Sequence, residues 1–160
     1  MEKWIIFDLD GTLADIEARR SLAAKENGKL DWKVFFNPDN IKLDVPMSDS
    51  IALYIALQRA GYKMAIFSGR GEETKEVTES WLKDNGISYD ILRMRPVSNY
   101  EPDDSLKRDW LKEEFEYRNN QWVKRKKWAS LLCVFDDRNK VVDMWRSEGI
   151  LCCQVAPGDF

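Results

Sequence analysis

The chain has 160 residues, enough for one ordinary domain around one core. Hydrophobic residues make up 44% and charged residues 33%; the formal net charge of −3 gives no global attraction to nucleic acid, and no run approaches the length of a membrane span. Histidine is absent, which excludes a Ser-His-Asp triad, a Cys-His pair, phosphohistidine chemistry and a His-ligated zinc site.

The first element is Trp4-Ile5-Ile6-Phe7, a continuous apolar run that suits a central parallel strand. It ends in Asp8-Leu9-Asp10-Gly11-Thr12. Glu2 and Lys3 lead straight into it without a signal-peptide pattern, so the chain reads as a soluble, cytoplasmic protein with no membrane partner. Asp15 to Lys25 is helix-like. Residues 27–46 are irregular, broken at Asn27-Gly28 and Asn37-Pro38, with Trp32, Phe35 and Phe36 clustered. Ser48 can cap a helix that Gly61 closes. A strand from Lys63 to Phe67 ends in Ser68-Gly69-Arg70. Glu72 to Asp84 reads as a helix and Tyr89 to Met94 as a strand. Asp103 to about Tyr117 reads as a helix, opened by acidic residues that suit its positive end. Residues 118–128 hold Lys124-Arg125-Lys126-Lys127 beside Trp122 and Trp128. Leu131 to Phe135 is an apolar strand that ends in Asp136-Asp137-Arg138. A helix from Lys140 to Glu148 and a strand from Ile150 to Val155 complete the chain.

This alternation predicts an α/β fold: a Rossmann-like parallel sheet of about five strands, with helices on both faces, forming a single domain over 1–160. Cys133, Cys152 and Cys153 lie in apolar runs and read as packed, reduced cysteines.

Carboxylates gather at the expected carboxyl ends of strands, where open parallel sheets bind ligands. Asp8 and Asp10 leave the first strand two residues apart, which places them on related faces. The Asp136-Asp137 pair ends another strand. Four carboxylates that converged would repel one another unless a cation sat among them. With oxygen donors alone, the natural cation is hard and octahedral, namely Mg²⁺.

Asp8-Leu9-Asp10-Gly11-Thr12, Ser68, Lys107 and Asp136-Asp137 resemble, in order and placement, the four motifs of the haloacid dehalogenase superfamily. Lys33-Val34-Phe35-Phe36, Phe67-Ser68-Gly69-Arg70, Met94-Arg95-Pro96, Asp103-Asp104-Ser105-Leu106-Lys107 and the stretch from Val134 to Phe160 resemble the phosphatase domain of phage-type polynucleotide kinase/3′-phosphatases. The similarity covers nearly the whole chain, although no G-x-x-x-x-G-K-[ST] loop occurs in it. Residues 118–128 look longer and more basic than that family suggests.

The resemblance implies that Asp8 is the nucleophile and Asp10 the general acid and base. It also implies that Ser68 and Lys107 serve the phosphoryl group. Thr12, Gly69, Arg70 and Arg138 are expected to bind substrate. Asp8, Asp10, Asp136 and Asp137 are expected to hold Mg²⁺, with the choice between Asp136 and Asp137 as direct ligand left open. The alternative for Ser68 is a turn cap and for Arg70 a surface ion pair. Asp103 could brace Arg70 or Lys107, or cap a helix. Asp10 favours phosphate-ester hydrolysis over dehalogenation, because halide needs no proton to leave. Residues 13–47 are expected to form a small cap insert, short enough to admit a polymer end.

The implied reaction is removal of terminal 3′ phosphates from DNA or RNA, in nucleic-acid end repair, beside a separate kinase or ligase. Free nucleotides or other small esters are the alternative substrates, and a non-catalytic strand-end binding module is an alternative of another class. Trp32, Phe35 and Phe36 either stack bases or pin the insert, and the basic stretch either tracks a backbone or is solvated surface. Oligomeric state is not legible in the sequence.

Overall fold

The computed structural model describes residues 1–160. Strand β1 (Glu2–Phe7) leads into β2 (Ala14–Asp15), helices α1 (Glu17–Ala23), α2 (Trp32–Phe35) and α3 (Pro38–Ile41), and β3 (Val45–Pro46). β2 and β3 pair antiparallel, so the segment between them leaves and rejoins the body at one place. α2 and α3 are single turns within the stretch expected to be irregular; four residues are too few to show a helical period. Each is held by a side-chain cap. Asp31 accepts from the amides of Lys33 and Val34, and Asn37 accepts from that of Asp39.

Helix α4 (Ser48–Arg59) follows, with Met47 rather than Ser48 at its cap position. Then come β4 (Lys63–Gly71), a 3₁₀ turn (Glu72–Thr74), α5 (Lys75–Asp84) and β5 (Ile91–Arg95). The chain continues through α6 (Asp103–Glu114), β6 (Phe115–Arg118), β7 (Gln121–Lys124), β8 (Ala129–Asp136), α7 (Asn139–Ser147) and β9 (Cys152–Gln154).

The five expected strands form the parallel part of the sheet, β5-β4-β1-β8-β9. The sheet is nevertheless mixed and has seven strands, not five. The helix expected to reach Tyr117 ends at Glu114, and the chain turns into the β6–β7 hairpin. Asn119 and Asn120 both adopt positive φ, 51° and 62°, the pattern of a tight two-residue hairpin turn. β7 then joins β8 through Val123 and Ser130.

This hairpin also places the basic stretch. Ser130 lies in the amino-terminal half of β8, whereas Asp136 ends it; at ~3.3 Å per residue the two are about 20 Å apart. Lys124 pairs with Glu114, and Arg125 donates to the Lys112 carbonyl at 2.6 and 2.9 Å. The stretch therefore belongs to the end of the sheet away from the carboxylates.

Alternation along β1 divides the core. Trp4 and Ile6 join Leu106, Trp110, Val142 and Trp145 on the α6–α7 side. Ile5 and Phe7 join Tyr54, Ile66, Trp81 and Leu82 on the α4–α5 side. Burial pushes the Cys133 thiol up to about 11 and the Cys152 thiol up to about 12, as suits packed and unreactive cysteines. No helix is long and apolar enough to cross a membrane.

Candidate active site

β1 has β4 on one side and β8 on the other, so the strand order reverses at its carboxyl end. Asp8 sits there, and its amide donates to the Phe135 carbonyl at 2.9 Å. Beyond it the chain makes a compact turn. The amides of Leu13 and Ala14 donate to the Leu9 carbonyl, while Leu9 and Leu13 are wholly buried. Burying those two leucines anchors the turn and fixes where Asp8 and Asp10 point.

Both Asp8 oxygens are engaged. Thr12 Oγ1 donates to Oδ2 at 3.1 Å and Lys107 Nζ donates to Oδ1 at 2.8 Å. Lys107 comes from α6 and also donates to Asp136 Oδ2 at 2.9 Å. Asp136 Oδ2 further accepts from Trp145 Nε1 at 3.3 Å, and Oδ1 accepts from the Asp137 amide at 2.9 Å. One ammonium thus ties the first strand to the eighth.

The electrostatics are those of a crowded anionic site. Burial holds the Asp8 carboxyl well above the usual carboxylate range; Asp136 and Asp137 add to the rise and Lys107 opposes it. Burial and Asp136 push Asp137 up to about 6. Burial works against the charge of Lys107, but Asp136 and Asp8 outweigh it and raise its proton affinity. One lysine facing three carboxylates leaves excess negative charge.

Carboxylate oxygens of Asp8, Asp136 and Asp137 lie within 4.8 Å of one another. All three residues are buried, and all offer oxygen only. This donor set fits a divalent cation, whose charge would relieve the repulsion that raises Asp8 and Asp137.

Gly11 is part of the same construction. Its φ is +80°, and a Cβ there would stand 2.0 Å from Asp137 Oδ2. Gly11→Ala is expected to displace Asp137 and lower kcat at least about tenfold, or ~1.4 kcal/mol. Steady-state kinetics on folded protein checks this.

Asp10 belongs to a second network. Its Oδ1 meets Arg70 Nη2 at 2.6 Å, Arg70 Nε at 2.8 Å and Arg19 Nη2 at 2.8 Å. Arg19 and Arg70 also pair with Asp44, at 2.8 and 2.7 Å. Thr78 accepts from Arg70 Nη1 at 3.2 Å, and the Phe35 carbonyl accepts from Arg19 Nη1 at 3.2 Å. Burial tends to raise the Asp10 carboxyl, but the two guanidiniums prevail and lower it. Oδ2 makes no hydrogen bond, and the Asp10 side chain is 22% exposed. The network positions Asp10 with one oxygen left free.

Asp44 balances two arginines of zero side-chain exposure. Burial raises its carboxyl despite them, so the cluster is costly to assemble and also costly to break. Asp44→Ala leaves two buried cations sharing Asp10 and is expected to destabilise the fold by about 3–5 kcal/mol. A denaturant titration measures this.

At the third strand end, Ser68 is buried and its Oγ accepts from the Arg70 amide at 3.2 Å. The pairing of β4 with β5 is irregular between Ser68 and Gly71. A Cβ on Gly69 would stand 2.8 Å from Asp103 Oδ1, which keeps this turn tight against the start of α6. Asp103 pairs with Arg95 and, at 3.0 Å, with Arg138.

Asp8, Lys107, Asp136 and Asp137 therefore come together as expected. Thr12 is fully buried, and its hydroxyl orients the Asp8 carboxylate. Arg70 is also fully buried, and Asp10, Asp44 and Thr78 take up its guanidinium. Asp103 braces Arg95 and Arg138, not Arg70 or Lys107. Of the aromatic cluster, Phe35 is buried under the Arg19 guanidinium at 4.3 Å, while Trp32 stacks on Phe36 and is 60% exposed. Sequence reasoning missed Arg19 and Asp44, since no local pattern distinguishes a buried charge from the exposed ones beside it.

Residues 2–160 match the family described as "Polynucleotide kinase PNKP phosphatase domain". A chain in the structure of the Pnkp1/Rnl/Hen1 RNA repair complex is 31% identical, with a TM-score of 0.78; the match covers 100% of this chain and 44% of that one. A second structure, of the Pnkp1/Rnl/Hen1 complex, contains a chain 30% identical with a TM-score of 0.74, covering 100% and 48% respectively. The present chain thus spans about half the length of the chains it matches. With the motif residues assembled at one strand switch and the match running almost end to end, the chain belongs to the polynucleotide kinase PNKP phosphatase domain family, within the haloacid dehalogenase superfamily.

Proposed function

We propose that the chain is a Mg²⁺-dependent phosphatase that removes 3′ phosphates from the ends of DNA or RNA, with Asp8 as nucleophile. The observation that carries this reading is the buried Asp8 carboxylate. Thr12 holds one of its oxygens and Lys107 the other, beside Asp136 and Asp137 at the carboxyl end of the central strand. In this reading the ion is held by Asp8, by the Asp10 carbonyl and by Asp137. Asp136 already serves Lys107, Trp145 and the Asp137 amide. Mg²⁺ would supply charge neutralisation for Asp8 and the transferring phosphoryl group.

An Asp8 oxygen attacks phosphorus and the bond to the strand's 3′ oxygen breaks, leaving an aspartyl-phosphate. Asp10 gives that oxygen a proton, then takes one from the water that hydrolyses the intermediate. A phosphate dianion beside Asp10 raises its proton affinity against the pull of Arg19 and Arg70. Ser68 donates to a phosphoryl oxygen. Lys107 holds Asp8 in line and neutralises charge. Gly69 and Arg138 flank the entry. Residues 13–47 act as a small cap, and its modest size leaves room for a strand end. The relatives found in RNA repair complexes support a place beside separate end-processing enzymes such as a kinase or ligase.

Phosphate release from a 3′-phosphorylated oligonucleotide, its 5′-phosphorylated isomer and a small chromogenic ester tests the reading. Fastest release from the 3′ end is expected. Preference for the small ester would move the assignment to small-molecule substrates. No release from any of them would leave a strand-end binding module.

A further inference from the structure

The three carboxylates of the cluster are not held alike. Thr12 and Lys107 hold Asp8, while Lys107 and Trp145 hold Asp136. No lysine or arginine pairs with the Asp137 carboxylate. Asp137 is nevertheless buried. Where its oxygens stand therefore depends on how firmly its backbone is fixed.

That backbone is gripped by residues 154–158. β9 runs parallel to β8 with Gln154 beside Asp136, and the Val155 amide donates to the Asp136 carbonyl at 3.1 Å. The chain then folds over the turn that follows β8. Gln154 Nε2 donates to the Asp137 carbonyl at 2.8 Å and to Asn139 Oδ1 at 2.7 Å. The Asn139 amide donates to the Gly158 carbonyl at 2.7 Å. Gly158 itself is buried against the Asp137 peptide. A Cβ on it would stand 1.8 Å from the Asp137 carbonyl oxygen and 2.6 Å from the Arg138 Cα. Both of those atoms are backbone, so no side chain can turn aside to make room. Asp137 thus lies between two glycines far apart in sequence, Gly11 against its carboxylate and Gly158 against its peptide.

We propose that residues 154–158 form a strap that positions Asp137 for the metal ion, with Gln154 and Gly158 as its positioning residues. This rests on the reading above that Asp137 holds a divalent cation. Mg²⁺ demands near-ideal octahedral oxygen geometry at about 2.1 Å, so a small shift of the Asp137 peptide is felt at the ion. Neither Gln154 nor Gly158 need touch the ion or the substrate to have this effect.

The test measures metal affinity directly, with Mn²⁺ as the probe and the EPR signal of the free ion as the readout, on the full chain. Gly158→Ala is expected to weaken Mn²⁺ about ten- to hundredfold, the usual effect of disturbing a group that orients a metal ligand. Gln154→Ala should weaken it about tenfold by the same route. Gln154 is exposed, so this variant decides the matter if Gly158→Ala does not fold. Gly86→Ala is the control: Gly86 has a φ of +70° and open space where a Cβ would stand, so its replacement strains the fold without touching Asp137. It should lower the melting temperature and leave Mn²⁺ affinity unchanged. Parent-like Mn²⁺ affinity in the folded strap variants would overturn the proposal. So would an equal loss in Gly86→Ala, which would trace the effect to stability alone, and so would a parent protein that binds no Mn²⁺. Weakened Mn²⁺ binding in the strap variants, in a protein that releases phosphate from no substrate, would uphold the strap and reject the phosphatase reading. Phosphate release with Mn²⁺ affinity indifferent to both strap variants would do the reverse.

Discussion

Asp8→Asn is expected to abolish phosphate release, costing at least about a thousandfold in kcat. The amide keeps the size of the side chain and can still accept from Thr12 or Lys107. It cannot supply the anionic oxygen that attacks phosphorus. Fold and substrate affinity should survive, since the parent Asp8 is itself buried at a cost that Asn does not incur. The measurement is single-turnover phosphate release, paired with a thermal melt to show that the variant is folded. A variant that loses activity through unfolding would melt early, and a non-nucleophilic Asp8 would leave the single turnover intact.

Removal of divalent metal should have an equally large effect. Asp8, Asp136 and Asp137 face a single ammonium, so the chelated protein holds a surplus of buried negative charge just where a phosphate must enter. EDTA is expected to stop turnover and Mg²⁺ to restore it. Ca²⁺ should bind yet inhibit, because its longer and looser coordination displaces Asp8 from the attacking position. Equal rates with Ca²⁺ and Mg²⁺ would contradict that positional role.

Much of this site was legible because its parts obey strand-end rules. An apolar run that stops at Asp-x-Asp-Gly-Thr, and another that stops at Asp-Asp, can be placed at the carboxyl edge of a sheet from sequence alone. Gly11 announced a turn, and the structure adds the reason for a glycine: Asp137 occupies the space where its Cβ would be. The five parallel strands were legible for the same reason.

The parts that escaped are long-range. Arg19 lies in a helical stretch with Arg20 beside it, and nothing local shows that one turns inward to Asp10 while the other turns to Phe160. Asp44 sits in an irregular stretch, and its role exists only once Arg19 and Arg70 arrive from elsewhere in the chain. Arg70 was legible as an anion-binding group, but its anions are Asp10 and Asp44. The hairpin was masked by its neighbour: α6 runs through Glu114 without a glycine or proline stop, and the Asn-Asn turn reads as a polar loop until both residues are seen at positive φ. The basic stretch, which the sequence leaves between tracking a backbone and solvated surface, is carried by the hairpin to the other end of the sheet.

The most direct test of the account follows the phosphoryl group itself. An oligonucleotide labelled in its 3′ phosphate is mixed with excess protein and Mg²⁺, quenched in acid on the millisecond scale, and the protein is digested and sequenced for label. Label is expected transiently on the peptide holding Asp8, decaying as free phosphate appears, and absent from Asp8→Asn. Release of phosphate with no label on Asp8 at any time, or label retained in Asp8→Asn, would contradict the account.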